Sequence, residues 1–469
     1  MTPGPDLRSL GGERPVHFMG VGGAGMYPLA ELLLRSGVRV SGCDVKGSRA
    51  LEDLAALGGN VSIGHDPSHG VGAGALIVTA AVPRDHPEIL AARGAGVPVL
   101  KRAQALGSWV AAGTVIGVAG THGKTTTTAM ATEILVEAGM NPTGLVGGRV
   151  TNWGGNLRFG SAELFVVEAD EYDRSFLTLS PDVAVVTNLE ADHLDVYGDL
   201  DGVRRGFLDF LAGVRGGGRV LVCADDHGAS SLLPAIGPAG YTYGTSAGSM
   251  LRATDVEVSV GGTRAAVYEQ GVRTGELALR MGGRHNLLNA LGAAAAARAV
   301  GASWDAVLTA LAGFGGVSRR FQLLGEVAGV TVVDDYAHHP TELAAALRTA
   351  RDMFADRRLV AVFQPHLFSR TRDFAREFGE ALAIADAVWI TDVFPAREAP
   401  IPGITGRTIV DATTAAGARH VEYVPKLGDL AATLASSIRY GDVVLTLGAG
   451  SIEVVGPELI DALEEPIHA

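Results

Sequence analysis

Short, mostly apolar runs recur along the chain, most of them closing on a polar or glycine-rich loop that leads towards a stretch with apolar residues at helical spacing. Runs at 15–19, 38–43, 75–80 and 97–100 make one series. Runs at 115–118, 164–167 and 183–186 make a second, and runs at 330–333, 359–363, 387–391 and 443–447 a third. Apolar runs without alternation read as strands buried on both faces, as in parallel sheets covered by helices. Residues 219–279 behave differently: LRATDVEVSVGGTRAAVYEQ alternates between glycine turns and predicts a mostly antiparallel patch. A glycine-rich break, GFGGVSRR at 313–320, precedes the last series. The expectation is an α/β chain of three domains, 1–110, 111–318 and 319–469.

Composition narrows the function classes. The 469 residues are 47% hydrophobic, enough for several cores, yet no apolar run reaches the length of a membrane span and the first residues lack an apolar leader core. A cytoplasmic protein without membrane insertion is expected. Cys43 and Cys223 are the only cysteines, which excludes a disulfide framework. A net charge of −13 argues against a nucleic-acid-coating surface, so phosphorylated ligands must be held by local loops.

The most informative stretch is VIGVAGTHGKTTTT at 115–128. A buried strand gives way to Gly120-Thr121-His122-Gly123, and Lys124, Thr125 and Thr126 open a helix. Glycines let backbone N–H groups approach an anion, and the helix N-terminus adds positive potential. Lys124 would reach the outer phosphates of a nucleoside triphosphate and the Thr125 hydroxyl would ligate Mg²⁺. The pattern is a shortened P-loop, since Val118 stands where the general form has its first glycine. Lysine is informative because the chain has only four and is otherwise basic through arginine.

Earlier, Gly20, Gly22, Gly23, Ala24 and Gly25 follow the first strand in a dinucleotide-type loop, and Asp44 ends the second strand where a ribose-binding acid belongs. NAD and the diphosphate of a UDP-sugar fit this loop equally. Glu168 and His193 end later strands, and strand ends in a parallel sheet line one crevice, so both face the side of Lys124. They are candidate metal ligands; solvated loop acids fit the spacing too. Arg319 and Arg320 sit at the last domain boundary, as a surface pair or as cations that meet a phosphate on closure. Asp334 to Pro340 and Gln364 to Arg372 each follow a strand and precede a helix.

The segments GVGGAGM, AGTHGKTTTT, EADEYD, TNLEADHLD, GRHNLLNA, DDYAHHPTE, FQPHLFSRTRD and EAPIPG occur here in the order found in the Mur ligases, whose pattern this chain resembles from Val16 to Gly456. The likeness is greatest to the alanine-adding branch. It implies a Rossmann-like N-terminal domain for UDP-N-acetylmuramate, a central P-loop ATPase-like domain with a mostly parallel sheet, and a Rossmann-like C-terminal domain for the amino acid. The implied activity is ATP-dependent ligation of L-alanine to the muramoyl carboxylate through an acyl phosphate, in peptidoglycan precursor synthesis. The cofactors would be ATP and Mg²⁺ or Mn²⁺.

Residue by residue, the resemblance implies that the loop from Gly20 to Gly25 and Asp44 bind the UDP-sugar, and that residues 120–126, Asn286, Asn289 and Asp335 bind ATP. Thr125, Glu168 and His193 would hold metal; Lys124, His193, Arg319 and Arg320 would act in catalysis. Tyr336, His338, His366 and Arg370 would line the amino-acid site. One departure matters: Leu367 replaces an arginine familiar after the histidine of FQPH. No lysine lies between Lys124 and Lys426 to be the carbamylated lysine of other branches, which itself favours the alanine-adding branch. A ligase recycling a whole tripeptide, or an NAD-dependent oxidoreductase with an ATP-binding module, are the alternatives. Oligomeric state is open.

Overall fold

The computed structural model describes residues 7–10, 14–79, 81–237, 240–396 and 398–464. Ala80, the expected last residue of one strand, lies outside them. Packing divides the chain into two compact units: Met1–Thr254, Ala266–Leu277 and Leu288–Phe314 form one, and Asp255–Ala265, Ala278–Leu287 and Gly315–Ala469 the other.

The first sheet holds β1 (Val16–Met19), β2 (Val40–Asp44), β3 (Asn60–Ile63), β4 (Ala75–Val78) and β5 (Val99–Lys101) in the order β3-β2-β1-β4-β5. Every neighbour pair is parallel. Winding reverses between β1 and β4, which opens a crevice beyond the carboxyl end of β1. Leu29, Leu32 and Leu33 of helix Met26–Arg35 are buried, at the i, i+3, i+4 spacing of a helix that covers a sheet.

The second sheet has ten strands: β6 (Thr114–Ala119), β7 (Thr143–Val150), β8 (Gly155–Arg158), β9 (Leu164–Glu168), β10 (Val183–Val186), β11 (Arg219–Cys223), β12 (Gly240–Gly244), β13 (Leu251–Ser259), β14 (Gly262–Glu269) and β15 (Val272–Leu279). Their order is β15-β14-β13-β12-β11-β10-β6-β9-β7-β8. The antiparallel patch expected from residue 219 starts later. β10, β11, β12 and β13 pair in parallel, and only the two-residue turns after β13 and β14 force reversal. Alternation at the start of β13 reflects burial of one face, which says nothing about strand direction.

The third sheet belongs to the other unit and comprises β16 (Gln322–Val327), β17 (Val330–Asp335), β18 (Leu359–Phe363), β19 (Ala387–Ile390), β20 (Val421–Tyr423) and β21 (Val443–Leu447), ordered β16-β17-β21-β18-β19-β20. β16 is antiparallel to β17; the other pairs are parallel. β17, β18, β19 and β21 are wholly buried, matching their apolar runs. Among the described residues no helix is long and apolar enough to cross a membrane.

Candidate active site

In the first unit, the turn after β1 begins at Gly20, whose φ of +71° favours glycine. Gly22 N–H donates to Asp44 Oδ2 at 2.9 Å, and Gly23 N–H to the Gly20 carbonyl at 3.1 Å. Asp44 thus ties the loop to the end of β2. Gly23 and Ala24 are exposed, and Gly25 caps helix Met26–Arg35. A Cβ at Gly25 would stand 3.1 Å from Arg102 Nε. Arg102 therefore brings a guanidinium to an anion-type loop. Sequence reading missed it, although it directly follows β5, whose end borders the same crevice.

The phosphate loop leaves β6 through Gly120 (φ +146°) and enters helix Lys124–Glu137 through Gly123 (φ +79°). A side chain at Gly120 would run into Thr187 Oγ1, and one at Gly123 into Asn289 Oδ1. The segment after β10 laces this loop. His122 N–H donates to Asn188 Oδ1 at 2.7 Å, Thr187 Oγ1 donates to the His122 carbonyl at 2.6 Å, and Glu190 N–H donates to Thr121 Oγ1 at 2.9 Å. Thr125 and Thr126 are buried at the helix start. Asn289, expected at adenine, lies beneath Gly123 and accepts from Thr127 Oγ1 at 3.3 Å.

Two pairs organise the charge. Thr125 Oγ1 donates to Glu168 Oε2 at 2.9 Å, and Gly147 N–H donates to the same oxygen at 2.6 Å. Lys124 Nζ donates to the Gly120 carbonyl at 2.5 Å and the Thr121 carbonyl at 3.1 Å, and to Glu171 at 2.9 Å. Burial pushes Glu171 up to about 7, with Lys124 opposing. Burial also works against the Lys124 charge, but Glu171, Asp170 and Glu168 together hold its pKa above the usual value. His193, in a left-handed conformation (φ +53°), sets Nε2 3.8 Å from Glu171 Oε1 and its ring 5.1 Å from Tyr172. The structure thus joins Thr125 with Glu168, and Lys124 with Glu171 and His193. Glu171 went unassigned in the sequence because only its burial separates it from Asp170.

The second unit gathers the remaining candidates. Arg319, expected to meet a phosphate, is committed inside its own unit. Its Nε donates to Asp334 Oδ2 and one terminal nitrogen to Glu453 Oε2, both at 2.9 Å, while the other donates to the Gly448 carbonyl at 2.7 Å. Arg320 has a looser ion pair, 3.5 Å to Glu342 Oε1. Both guanidinium carbons lie over the Tyr336 ring, at 5.2 and 5.1 Å. Tyr336, His338, His366 and Phe394 form a chain of rings 5.3, 5.9 and 5.7 Å apart. Glu342 Oε2 lies 3.1 Å from His338 Nδ1.

Leu367 takes φ +70°, a strained conformation for a leucine, and opens helix Phe368–Asp373, on which Arg370 is buried. Glu398 accepts from Ser369 N–H at 2.9 Å and from its hydroxyl at 2.5 Å, which holds that helix start. Asp335 is buried and accepts from Phe321 N–H and Ala337 N–H, each at 2.7 Å. Burial raises it to about 6, against Arg320. Each oxygen keeps lone pairs that a ribose hydroxyl could use. Asn286 Nδ2 donates to the Gly282 carbonyl at 2.9 Å.

Three family models match in succession. They are the Mur ligase family catalytic domain over residues 15–114, the Mur ligase middle domain over 118–297, and the Mur ligase glutamate ligase domain over 319–450. The chain is similar to a UDP-N-acetylmuramate–L-alanine ligase of Kineococcus radiotolerans, 47% identical with 96% of each chain covered. A protein of the same name from an Anaeromyxobacter species is 44% identical, covering 97% of this chain and all of that one. Among solved structures, UDP-N-acetylmuramate-alanine ligase from Thermotoga maritima matches with a TM-score of 0.80 at 31% identity, covering 96% of this chain and 99% of that one. A murein peptide ligase from Psychrobacter arcticus matches at 0.69 and 26%, covering 97% and 100%. With full-length likeness and all three segments matched in order, the chain belongs to the Mur ligase family.

Proposed function

We propose that this protein is an ATP-dependent ligase that joins L-alanine to the carboxylate of UDP-N-acetylmuramate, a step of peptidoglycan precursor synthesis. The likeness of 44–47% over nearly the whole chain to ligases of that name carries the reading. Residues 1–110 would take the UDP-sugar, 111–318 ATP, and 319–469 the amino acid. The work belongs in the cytoplasm, where ATP and nucleotide sugars are made available.

The chemistry is activation followed by displacement. The muramoyl carboxylate attacks the γ-phosphorus of ATP, ADP leaves, and the alanine amine displaces phosphate from the acyl phosphate. Lys124 is the cation for the transferred group once it exchanges Glu171 for phosphate oxygens, and the N–H groups of residues 120–123 complete the cradle. Gly120 and Gly123 fit that use, since a side chain at either would meet Thr187 or Asn289. Thr125 and Glu168 already share one point through a 2.9 Å hydrogen bond, and an oxygen set of this kind suits Mg²⁺. His193, beside Glu171, is the third candidate. When bound, the ion would neutralise phosphate charge. Asp335 and Asn286 are assigned to the nucleoside.

Tyr336, His338 and His366 would wall the alanine site, with Arg370 gripping its carboxylate. Arg320, rather than the Arg319–Arg320 pair, is the candidate cation for a phosphate, because the three guanidinium nitrogens of Arg319 are already bonded. Phosphate release should require UDP-N-acetylmuramate and ATP and be greatest with L-alanine, with slower use of glycine and L-serine and none of D-alanine. A better rate with the tripeptide L-Ala-γ-D-Glu-diaminopimelate would assign the recycling reaction instead. Nicotinamide turnover without phosphate release would overturn both.

A further inference from the structure

A second cluster of ligating side chains lies in the N-terminal sheet, apart from the phosphate loop. Glu88 is completely buried. Among the described residues its ion-pair partners are imidazoles: His17 Nε2 at 3.0 Å, His65 Nδ1 at 3.3 Å and His69 Nδ1 at 4.0 Å. Cys43 Sγ, also buried, lies 3.5 Å from Glu88 Oε1, 3.5 Å from His17 Nε2 and 3.1 Å from His65 Nδ1. Ser41 Oγ sits 2.9 Å from His17 Nδ1, which turns Nε2 towards the cluster. Such a hydrogen bond from the far ring nitrogen is the usual support of a metal-bound histidine. His69 Nδ1 is buried without a hydrogen-bond partner and points into the same space.

We propose that His17, Cys43, His69 and Glu88 form a binding site for a zinc-type divalent ion, with His65 bracing Cys43 and Glu88. The four donor atoms all lie within 4.8 Å of one another. Shifts of about 1 Å would bring them to the ~2.0–2.3 Å bonds of four-coordinate zinc. One thiolate and one carboxylate offset both positive charges, so the filled site is neutral, as a buried site should be. Sulfur and imidazole donors select zinc over magnesium. The ligands come from β1, from β2 and from helices Ser68–Val71 and Pro87–Gly94. One ion would therefore staple four elements. The Cys43 carbonyl also accepts Gly20 N–H and Val21 N–H at 2.8 and 3.1 Å, so the staple would fix the strand end from which the glycine loop hangs.

The test uses the full chain carrying no polyhistidine tag, stripped with chelator and titrated with Zn²⁺ or Co²⁺ in excess Mg²⁺. One equivalent of zinc should remain bound through dialysis. Cobalt should give a thiolate-to-metal charge-transfer band and the intense visible bands of a tetrahedral site. The thiolate band should survive Cys223→Ser and vanish in Cys43→Ser, and His69→Ala should weaken cobalt affinity about 10–100-fold. Absence of a thiolate band in the wild type overturns the site, as does its loss in Cys223→Ser or its persistence in Cys43→Ser. Should Cys43→Ser fail to fold, Cys223→Ser alone decides, since the chain has no third cysteine. A hydrogen-bonded relay of the same side chains predicts no band.

Discussion

Lys124→Met removes the ammonium that the phosphate loop encloses and leaves Glu171 buried without it. Breaking a buried pair from one side costs about 3–5 kcal/mol. Here the cost depends on pH, because Glu171 can take up a proton. Its pKa is about 7 in the folded chain against an ordinary 4.5. The folded state therefore holds this proton more tightly than the unfolded state, so the Glu171 contribution to stability falls as pH rises from 4.5 to 7 and is constant above. Lys124 lowers that pKa, so the variant's lies higher and the fall continues past 7, at about 1.4 kcal/mol per pH unit until the new pKa is reached. Thermal unfolding without nucleotide and with chelator should find the variant level with wild type near pH 6 and increasingly behind from pH 7 to 9. Lys124→Met with Glu171→Gln should recover that deficit without recovering activity. Ligation by Lys124→Met should drop by ~10²–10³, the cost of one charge-stabilising donor. UDP-sugar binding, which uses a different sheet, should persist. Wild-type turnover, or stability curves that run parallel across pH, would refute the role given to Lys124.

Glu168→Gln should raise the Mg²⁺ concentration at half-maximal activity, because it weakens an oxygen donor beside Thr125; an unchanged titration would leave Glu168 structural. Arg370→Ala should raise the KM for alanine far more than that for ATP, read from initial rates with each substrate varied. Asp44→Ala frees the Gly22 N–H and should weaken UDP-N-acetylmuramate binding in calorimetry, with no nicotinamide binding gained. His285 is half-buried, and desolvation with Arg320 pushes it down to about 4. Its folded pKa lies below the ordinary 6.5, so the unfolded chain binds the extra proton and stability is lost as pH falls from 6.5 to 4. His285→Asn should flatten that acid limb in a thermal-unfolding series.

Strands buried on both faces were the legible ones. The runs of β1, β9, β10, β17, β18, β19 and β21 stand out because each is nearly unbroken apolar sequence. β3, β16 and β20 are half-exposed and left no such run. At the candidate site, Lys124 and Thr125 are proposed from sequence because a phosphate cradle would be made by consecutive residues. Arg102 beside Gly25 and Glu398 under Ser369 could not be, since each works through a partner distant in the chain whose proximity is set by the fold. Arg319 and Arg320 are neighbours in the chain, yet one is riveted to Asp334 and Glu453 while the other faces Glu342. Adjacency in sequence hid that difference. Leu367 was noticed as a departure from the family pattern, but its strained φ could only come from the backbone.

Burial also separates two kinds of carboxylate in the first unit. Glu171 faces an ammonium, which carries its charge throughout the neutral range, so the pair needs no metal to balance it. Glu88 faces three imidazoles and a thiol, with no lysine or arginine among its partners in the described residues. Those groups compensate a buried anion only by carrying a proton or by sharing a cation. The donor types then divide the metals. Thr125 and Glu168 offer only hard oxygen, which suits magnesium, and under the proposed function that ion would arrive with the nucleotide. Cys43, His17 and His69 offer sulfur and nitrogen, for which a lasting, borderline-soft ion is the match. A chain with both would therefore answer to two metals by different measures: turnover would follow the first, and the melting temperature of the N-terminal sheet the second.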